Sequence, residues 1–261
     1  MRLLRSLVWD VDGTIAETER DGHRVAFNLA FEEFGLPWHW DEAGYGRLLR
    51  VRGARERLLA DMSTHRDAPV DSRMREVLAG ALHARKNELY AGLAERGAIP
   101  LREGVVELMR ECRDRGVLMA IATTTRRASL DALLRHHLGA DWRDWFAAIV
   151  CAEDGQRRKP DPEVYPHVLR LLGDDPLRTL AIEDSPLGVA AAHAAGLPVL
   201  VTRSAYFADA SIDEAIAIGP GLHARAGWRP DALAAARPER RVGLDDIEDW
   251  LARSEVVSQY A

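Results

Sequence analysis

The sequence predicts an α/β protein in which a Rossmann-like, doubly wound parallel sheet carries an inserted α-helical domain. From about residue 98 onward, short apolar runs alternate with helical segments, which is typical of a parallel sheet buried on both faces. Another apolar run, Leu7–Trp9, lies near the N-terminus, and no strand pattern occurs between residues 17 and 97. We therefore expect an α/β core formed by residues 1–16 and 98–261, and a helical domain formed by residues 17–97.

The elements of the core are assigned in order from apolar runs and glycines. After Leu7–Trp9, four further runs have the length and composition of buried strands. They are Val117–Ala122, Ala147–Val150, Thr179–Ile182 and Pro198–Val201. Four helices alternate with these strands, and each is followed by a glycine, the residue favoured just past a helix C-terminus. They are Val105–Arg115, Leu130–Leu138, Glu163–Leu172 and Gly188–Ala195.

Residues 17–97 and the C-terminal tail are assigned from helical spacing. The predicted helical segments of the first region are Val25–Phe34, Leu48–Leu49, Leu58–Met62, Met74–Leu82 and Leu89–Leu93. Beyond residue 205, Ile216–Ile218 fits either an edge strand or a loop, and Leu244–Leu251 predicts a final helix. The pattern leaves open whether this tail packs on the core or contacts another subunit.

Composition and charge argue against several classes of protein. Hydrophobic residues make up 47% and charged residues 29% of the chain, as is ordinary for a globular protein. A formal net charge of −6 disfavours a nucleic-acid-binding protein, which usually carries a basic face. No apolar segment approaches the roughly 20 residues of a membrane span, and the two cysteines lack zinc-site spacing. We expect a cytoplasmic monomer without nucleic-acid or membrane partners.

Two aspartates, Asp10 and Asp12, directly follow the first predicted strand. Residues i and i+2 share a side of a strand, so both carboxylates are expected to leave the strand end in roughly the same direction. Like charges this close repel each other unless a cation or a shared proton compensates them, and a hard divalent cation would do so. The alternative is an ordinary surface turn, because Asp12-Gly13 is a common turn dipeptide.

Polar residues also follow the other predicted strands, where ligands bind in parallel α/β sheets. These residues are Thr123, Thr124, Lys159, Glu183 and Asp184. Each has an ordinary alternative: Thr123 as a helix N-cap, Lys159 as a solvated loop residue, and Glu183-Asp184-Ser185 as the start of the next helix. Their joint occurrence in this order indicates a functional site.

These segments resemble, in order, the four motifs of the haloacid-dehalogenase superfamily of phosphohydrolases. The matching residues are Asp10-Val11-Asp12-Gly13-Thr14, Thr123, Lys159-Pro160 and Glu183-Asp184. The helical domain is similar to the helical cap that this superfamily inserts after the first strand. Within the superfamily, residues 10–19, His23–Asn28 and Arg55–Arg57 resemble the CbbY type of sugar phosphatase.

The resemblance implies a Mg²⁺-dependent hydrolase of carbohydrate metabolism that acts on a phosphorylated sugar. CbbY-type proteins are known for removing phosphate from xylulose 1,5-bisphosphate, an inhibitory by-product of the Calvin-cycle carboxylase. A phosphosugar mutase similar to β-phosphoglucomutase is the alternative, since the motifs do not show whether water or a sugar hydroxyl accepts the phosphoryl group. A dehalogenase is disfavoured by the acidic pair, and a non-catalytic binding module by four intact motif residues: Asp10, Asp12, Lys159 and Asp184.

The resemblance also implies roles for the acidic motif residues. Asp10 is the expected nucleophile, forming an aspartyl-phosphate, and Asp12 is the expected general acid and then base. Mg²⁺ is expected to bind the Asp10 carboxylate, the Asp12 backbone carbonyl and Asp184. Glu183 is expected to orient a metal-bound water.

The remaining motif residues are expected to bind the phosphoryl group. Thr123, the backbone amide of Thr124 and Lys159 hold its oxygens in this interpretation. Because Lys159 carries a positive charge, we also expect it to keep Asp10 ionised at neutral pH.

Substrate recognition is expected from residues in and beside the cap. One segment holds four arginines, a residue type that can bind phosphate with two parallel hydrogen bonds: Arg50, Arg52, Arg55 and Arg57. Arg50 and Arg55 are the candidates, against the alternative of a solvated helix face. Arg55 stands where CbbY-type sequences often have lysine. Glu17 and His23 lie where the family places substrate-facing or hinge residues, although His23 also fits a packed helix histidine.

Overall fold

A computed structural model of the chain describes residues 3–51, 53–232 and 241–260, with only the backbone of residues 255–260. The chain divides into two compact units. The core unit comprises Met1–Glu17 and Pro100–Ala261, and the helical unit comprises Thr18–Ile99. Glu17, which the sequence analysis assigned to the cap, groups with the core unit. Its carboxylate accepts a hydrogen bond from the backbone amide of Ala205 in the same unit.

The elements alternate as expected for an α/β core with one helical insertion. The strands are β1 Ser6–Trp9, β2 Leu118–Ala122, β3 Ala148–Val150, β4 Thr179–Glu183, β5 Val199–Thr202 and β6 Ala217–Gly219. The helices are α1 Arg24–Glu33, α2 Glu42–Leu48, α3 Ala54–Met62, α4 Ser72–Glu95, α5 Val105–Arg115, α6 Arg127–Leu138, α7 Val164–Leu172, α8 Pro186–Ala194 and α9 Leu244–Tyr260. A π-helical segment, Thr18–His23, precedes α1.

The six strands form one parallel sheet in the order β3-β2-β1-β4-β5-β6. This confirms the predicted doubly wound α/β fold. Strand β1 is fully buried and lies between β2 and β4, with Trp9 paired to Ile121 and Ile182. The residues that follow these three strands are therefore neighbours at the carboxyl edge of the sheet.

The structure corrects two predicted helix boundaries, and it shows that a segment predicted as either an edge strand or a loop is a strand. Met74–Leu82 and Leu89–Leu93 belong to the single 24-residue helix α4, not to separate helices. The C-terminal helix continues beyond Leu251 to Tyr260. Ile216–Ile218 is the edge strand β6, shifted by one residue.

The C-terminal tail contains a pair of stacked, buried tryptophans. The rings of Trp228 and Trp250 lie 4.8 Å apart, and both side chains are buried. Gly219 at the end of β6 leaves room for this pair, because a Cβ atom there would lie 2.1 Å from the Trp228 ring. Buried side chains of α9, including Leu244, complete the contact with the core. The tail is therefore a part of the hydrophobic core.

The helical unit is built around aromatic side chains that lie between its helices. Phe27 and Phe31 on α1 contact Trp40, with ring centroids 4.6 and 5.0 Å apart. Asn28 joins the same turn by accepting from the Trp40 amide at 2.8 Å and donating to the Trp40 carbonyl at 2.9 Å. In the part of the chain that the structure describes, core unit included, each helix is too short or too polar to span a membrane.

If the tail is integral to the core, truncating Trp250 must destabilise the whole protein. We expect Trp250→Ala to cost about 3–5 kcal/mol of unfolding free energy, through lost burial and a cavity. Leu177→Ala, at a position that is 64% exposed, should change it by less than about 0.5 kcal/mol. Urea unfolding monitored by circular dichroism measures both, and equal effects of the two substitutions would contradict the packing role.

Candidate active site

The loop after β1 brings two aspartates to the carboxyl edge of the sheet. The Asp10 amide continues the sheet by donating to the Ile182 carbonyl at 3.0 Å. The loop then turns sharply at Gly13, whose φ of +83° favours glycine. A side chain at Gly13 would also collide with Asp184, because its Cβ atom would lie 2.0 Å from Oδ2. This glycine therefore allows the loop to pack directly against the carboxylate that follows β4.

A buried lysine lies at the centre of the site. The Lys159 ammonium donates to Asp10 Oδ1 at 2.6 Å, to Glu183 Oε1 at 2.5 Å and to the carbonyl of Ala122 at 3.0 Å. The side chains of Lys159, Asp10 and Glu183 are at most a tenth exposed. Burial disfavours the ammonium, but the charges of Asp10 and Glu183 outweigh it and raise the Lys159 pKa well above its usual value. Lys159 therefore stays charged and ties the first motif to the last.

Three buried carboxylates form a group that fits a divalent cation. Asp10, Glu183 and Asp184 offer oxygens that all lie within 4.8 Å of one another. Within the described part of the chain, Glu183 Oε2 is buried and has no hydrogen-bond partner. Oxygen donors of this kind are the ligands that Mg²⁺ prefers. Three carboxylates around one lysine leave an excess of negative charge, which a divalent cation would neutralise.

The pKa of Asp10 shows that Lys159 alone does not balance these charges. Burial, and next the charge of Glu183, raise the Asp10 pKa to about 7 although Lys159 acts to lower it. Burial and the charge of Asp10 likewise raise the pKa of Asp184 well above its usual value. Lys159 therefore lowers the Asp10 pKa, as expected, but burial and the charge of Glu183 raise it more. The sequence analysis could not weigh these opposing effects because the depth of burial is a property of the fold.

Two threonines after β2 contact the site, and one of them was missed by the sequence analysis. Thr123 is buried and its hydroxyl accepts a hydrogen bond from the Thr125 amide at 3.0 Å. Thr123 is not a helix N-cap, since α6 begins four residues later at Arg127. The Thr125 hydroxyl donates to Asp12 Oδ2 in a short hydrogen bond. The i, i+2 spacing of Thr123 and Thr125 was the signal that could have revealed this second contact.

A buried tyrosine, also missed by the sequence analysis, supports Glu183. The Tyr165 hydroxyl donates to Glu183 Oε1, the oxygen that also accepts from Lys159. Burial and the charge of Glu183 raise the Tyr165 pKa well above its usual value, so the phenol remains a donor at neutral pH. The Lys159 ammonium lies 5.2 Å from the centre of the Tyr165 ring. Tyr165 therefore fixes both partners of the central ion pair.

Beside Lys159 lies a cavity of about 220 Å³. Its wall includes Thr123 and Thr124 after β2, and Arg157, Arg158 and Lys159 before α7. Arg157 and Arg158 are exposed at its rim. Glu163 also lines the cavity, and Arg157 pairs with Asp161 at 3.0 Å and with Glu163 at 3.6 Å. The cavity therefore combines cationic and hydroxyl-bearing residues with one carboxylate.

Two of the residues predicted to recognise substrate, Glu17 and His23, have polar partners within their own units. In the core unit, Glu17 accepts from the Ala205 amide at 3.2 Å. In the helical unit, the His23 ring stacks 4.2 Å from Tyr90 and its Nδ1 lies 2.8 Å from the Lys86 ammonium. Burial and the charge of Lys86 lower the His23 pKa well below its usual value.

The arginine candidates lie around α2 and α3. Arg55 pairs with Glu76 in a short contact within the helical unit. Arg50 is exposed, and Arg52 lies outside the described residues. Substrate contacts by Glu17, His23, Arg50 and Arg55 stay predictions.

Comparison with known proteins identifies a family and several relatives of this chain. A family model described as haloacid dehalogenase-like hydrolase matches residues 4–196. The plasmid CbbY protein of Cupriavidus necator is 45% identical over 252 residues, covering 95% of this chain and 96% of that protein. CbbY from Rhodobacter sphaeroides in complex with phosphate is 34% identical, with a TM-score of 0.69 over 81% of this chain and 92% of that chain. Its D10N mutant in complex with xylulose-(1,5)bisphosphate gives the same TM-score of 0.69.

Because protons and metal compete for the same carboxylates, Mg²⁺ should stabilise the protein more at pH 8 than at pH 6. A raised carboxyl pKa means that the folded protein binds more protons than the unfolded chain between about pH 4 and 7. The metal-free protein therefore loses stability as pH rises through this window, and a bound cation restores it. With an Asp10 pKa of about 7, the apparent Mg²⁺ affinity should fall about tenfold from pH 8 to pH 6.

Thermal unfolding with and without Mg²⁺ at the two pH values measures this effect. A concentration of about 100 times Kd contributes about 2.7 kcal/mol, which corresponds to several degrees in Tm. Asp184→Asn serves as the control and should remove the gain at both pH values. Equal gains in the unaltered protein at pH 6 and pH 8 would contradict competition at these carboxylates.

Tyr165→Phe should lower kcat without changing KM. The substitution keeps the ring beside Lys159 but removes one of the two donors to Glu183 Oε1. We expect a several-fold lower kcat, an unchanged KM, and a loss of about 1.5–3 kcal/mol of stability for a hydrogen bond to a charged group. Val168→Ala on the same helix is a destabilised control that should keep its kcat. A normal kcat in Tyr165→Phe would show that the phenol only stabilises the fold.

Proposed function

This chain belongs to the haloacid dehalogenase-like hydrolases and is a phosphatase of the CbbY group, and we propose that it hydrolyses xylulose 1,5-bisphosphate with Mg²⁺ through an aspartyl-phosphate. The observation that carries this proposal is the position of Asp10 within the buried group of Lys159, Glu183 and Asp184. A carboxylate held beside one fixed cation and a candidate metal site has the surroundings of a nucleophile for phosphoryl transfer.

The first step of the proposed reaction transfers the phosphoryl group to the protein. A carboxylate oxygen of Asp10 attacks phosphorus, and the bond from phosphorus to the sugar oxygen breaks. The sugar oxygen takes a proton from Asp12, whose carboxyl is oriented by the Thr125 hydroxyl. Lys159 and the donors after β2 are placed to neutralise the phosphoryl oxygens. When bound, Mg²⁺ would be held by Asp10, Asp184 and the Asp12 carbonyl and would supply further positive charge.

The second step returns Asp10 to its starting state. Asp12, now ionised, takes a proton from water as the water oxygen attacks phosphorus of the aspartyl-phosphate. The acyl phosphate bond breaks, inorganic phosphate leaves, and the Asp10 carboxylate is restored. Asp12 thus gives one proton to the sugar oxygen and regains one from the attacking water in each cycle, so its carboxyl must contact water in the second step. Consistent with this, Asp12 is partly exposed, whereas Asp10 is buried.

Two observations support a sugar bisphosphate as the substrate. The CbbY from Rhodobacter sphaeroides, which is 34% identical to this chain, was solved as its D10N mutant in complex with xylulose-(1,5)bisphosphate. Residue 10 of this chain is likewise an aspartate. The cavity beside Lys159 is also lined by Arg158, an exposed cation that could approach an anionic group. The proposal includes the cytoplasmic location and the monomeric state that we predict from the sequence.

A phosphate-release assay over a panel of sugar phosphates tests the proposal. The panel comprises xylulose 1,5-bisphosphate, ribulose 1,5-bisphosphate, glucose 6-phosphate and β-glucose 1-phosphate, each with Mg²⁺ or with a chelator. We expect kcat/KM to be highest for xylulose 1,5-bisphosphate by about tenfold or more, and no turnover with the chelator. Asp10→Asn should lower kcat by about a thousandfold or more while Tm stays within a few degrees.

Three results would contradict parts of this proposal. Turnover by Asp10→Asn at the normal rate would exclude the aspartyl-phosphate. Conversion of β-glucose 1-phosphate to glucose 6-phosphate without net phosphate release would identify a mutase instead. Preference for a monophosphate would exclude the bisphosphate assignment but keep the phosphatase chemistry.

A further inference from the structure

One arginine outside the four motifs, Arg102, donates hydrogen bonds to three segments at the carboxyl edge of the sheet. The Arg102 guanidinium donates to the carbonyl of Gly13 in a short contact, to the Thr202 carbonyl at 3.0 Å and to the Thr202 hydroxyl at 3.1 Å. It also donates to the carbonyls of Arg203 at 2.7 Å and Pro220 at 3.1 Å. A single side chain thus joins the loop after β1 to the segments that follow β5 and β6.

The contact with Gly13 acts on the catalytic loop at its most constrained point. Gly13 follows Asp12 directly, and its backbone packs so closely against Asp184 that a Cβ atom would overlap Oδ2. A small outward shift of the loop would therefore separate Asp10 and Asp12 from Asp184. The positive charge of Arg102 also acts on Asp184, where it opposes the rise in pKa that burial causes.

The same arginine contacts Glu17, the last residue of the core before the chain enters the helical unit. Arg102 Nε lies 3.6 Å from Glu17 Oε1, and both side chains are mostly buried. The Arg102 amide donates to the Ile15 carbonyl at 2.8 Å, and Ala16 pairs with Leu101 in an antiparallel bridge. Arg102 is therefore fixed to the catalytic loop through its backbone as well as its side chain.

We propose that Arg102 is a positioning residue for the phosphatase reaction, holding the Asp10–Glu17 segment in the place where its carboxylates meet Asp184. The inference rests on the proposed function for its kinetic consequence, and on the geometry of the core unit for its structural one. Arginine is required because its planar fork reaches four carbonyls in different directions, whereas a lysine ammonium has only three donors at one point.

Two substitutions and one control separate positioning from charge and from stability. Arg102→Lys keeps the positive charge but loses the fork, and Arg102→Gln loses both. Arg115→Gln is the matched control, because Arg115 is also partly buried and contacts Glu111 and Asp245 away from the motifs. For each protein, kcat, KM, Mg²⁺ affinity by calorimetry and amide hydrogen exchange of residues 10–17 without metal are measured.

Positioning by Arg102 predicts that both substitutions at this site behave alike. We expect kcat to fall by about tenfold or more, since small misplacements of reacting groups are costly. Mg²⁺ should bind more weakly, and the amides of residues 10–17 should exchange about tenfold faster or more in the metal-free protein. Arg115→Gln should leave all these quantities within about twofold of the unaltered protein.

Other outcomes would overturn the inference. If Arg102 acted only through its charge, Arg102→Lys would be normal and Arg102→Gln would bind Mg²⁺ more tightly, because a repelling cation is removed. Unchanged exchange of residues 10–17 in Arg102→Lys would also overturn it, and this variant decides the question if Arg102→Gln does not fold. If the unaltered protein released no phosphate from any sugar phosphate, the proposed function would fail, but the exchange and calorimetry would still test Arg102.

Discussion

The ion pair of Lys159 with Asp10 and Glu183 is the interaction on which the rest of the site depends. Transferring these charges from water into the protein is costly, and removing one partner leaves the others uncompensated. The cost is reduced because Lys159 uses its three donors on two carboxylates and one carbonyl. Even so, the Asp10 pKa rises to about 7, which shows that the group is incompletely neutralised without a cation. A divalent metal ion would offset the negative charge that Asp10, Glu183 and Asp184 carry in excess of the single positive charge of Lys159.

The topology of the sheet explains why distant residues can meet in this group. Because β1 lies between β2 and β4, Asp10 comes between Thr123 and Glu183, and the lysine before α7 reaches across all of them. A further set of residues then fixes the orientation of these groups. Tyr165 donates a hydrogen bond to Glu183, and Thr125 donates one to Asp12. Arg102 donates to the Gly13 carbonyl in the loop after β1. The motif residues are therefore contacted by three side chains that lie outside the motif positions.

The sequence could predict the strands and the motif residues because both depend on local pattern. An apolar run followed by acidic residues marks a strand end regardless of what surrounds it, so this local pattern identified Asp10 and Asp184, whereas Lys159 was identified through the order of the segments and their resemblance to the four motifs. Tyr165 and Arg102 were missed because their roles depend on contacts with residues 18 and 89 positions away. The joining of two predicted segments into α4 had a related cause. Polar residues between Leu82 and Leu89 hid the continuation of a helix whose buried face includes Lys86.

The different surroundings of Asp10 and Asp12 explain how adjacent carboxylates can perform different tasks. Alternation along the strand predicted only that they lie on the same side. In the structure, Asp10 is buried against Lys159 and belongs to the carboxylate group that could hold a cation. Asp12 is partly exposed, and its carboxylate accepts a hydrogen bond from the neutral hydroxyl of Thr125. The two carboxylates therefore differ in burial and in partner although only Val11 separates them, and the sharp turn at Gly13 ends this segment directly after Asp12.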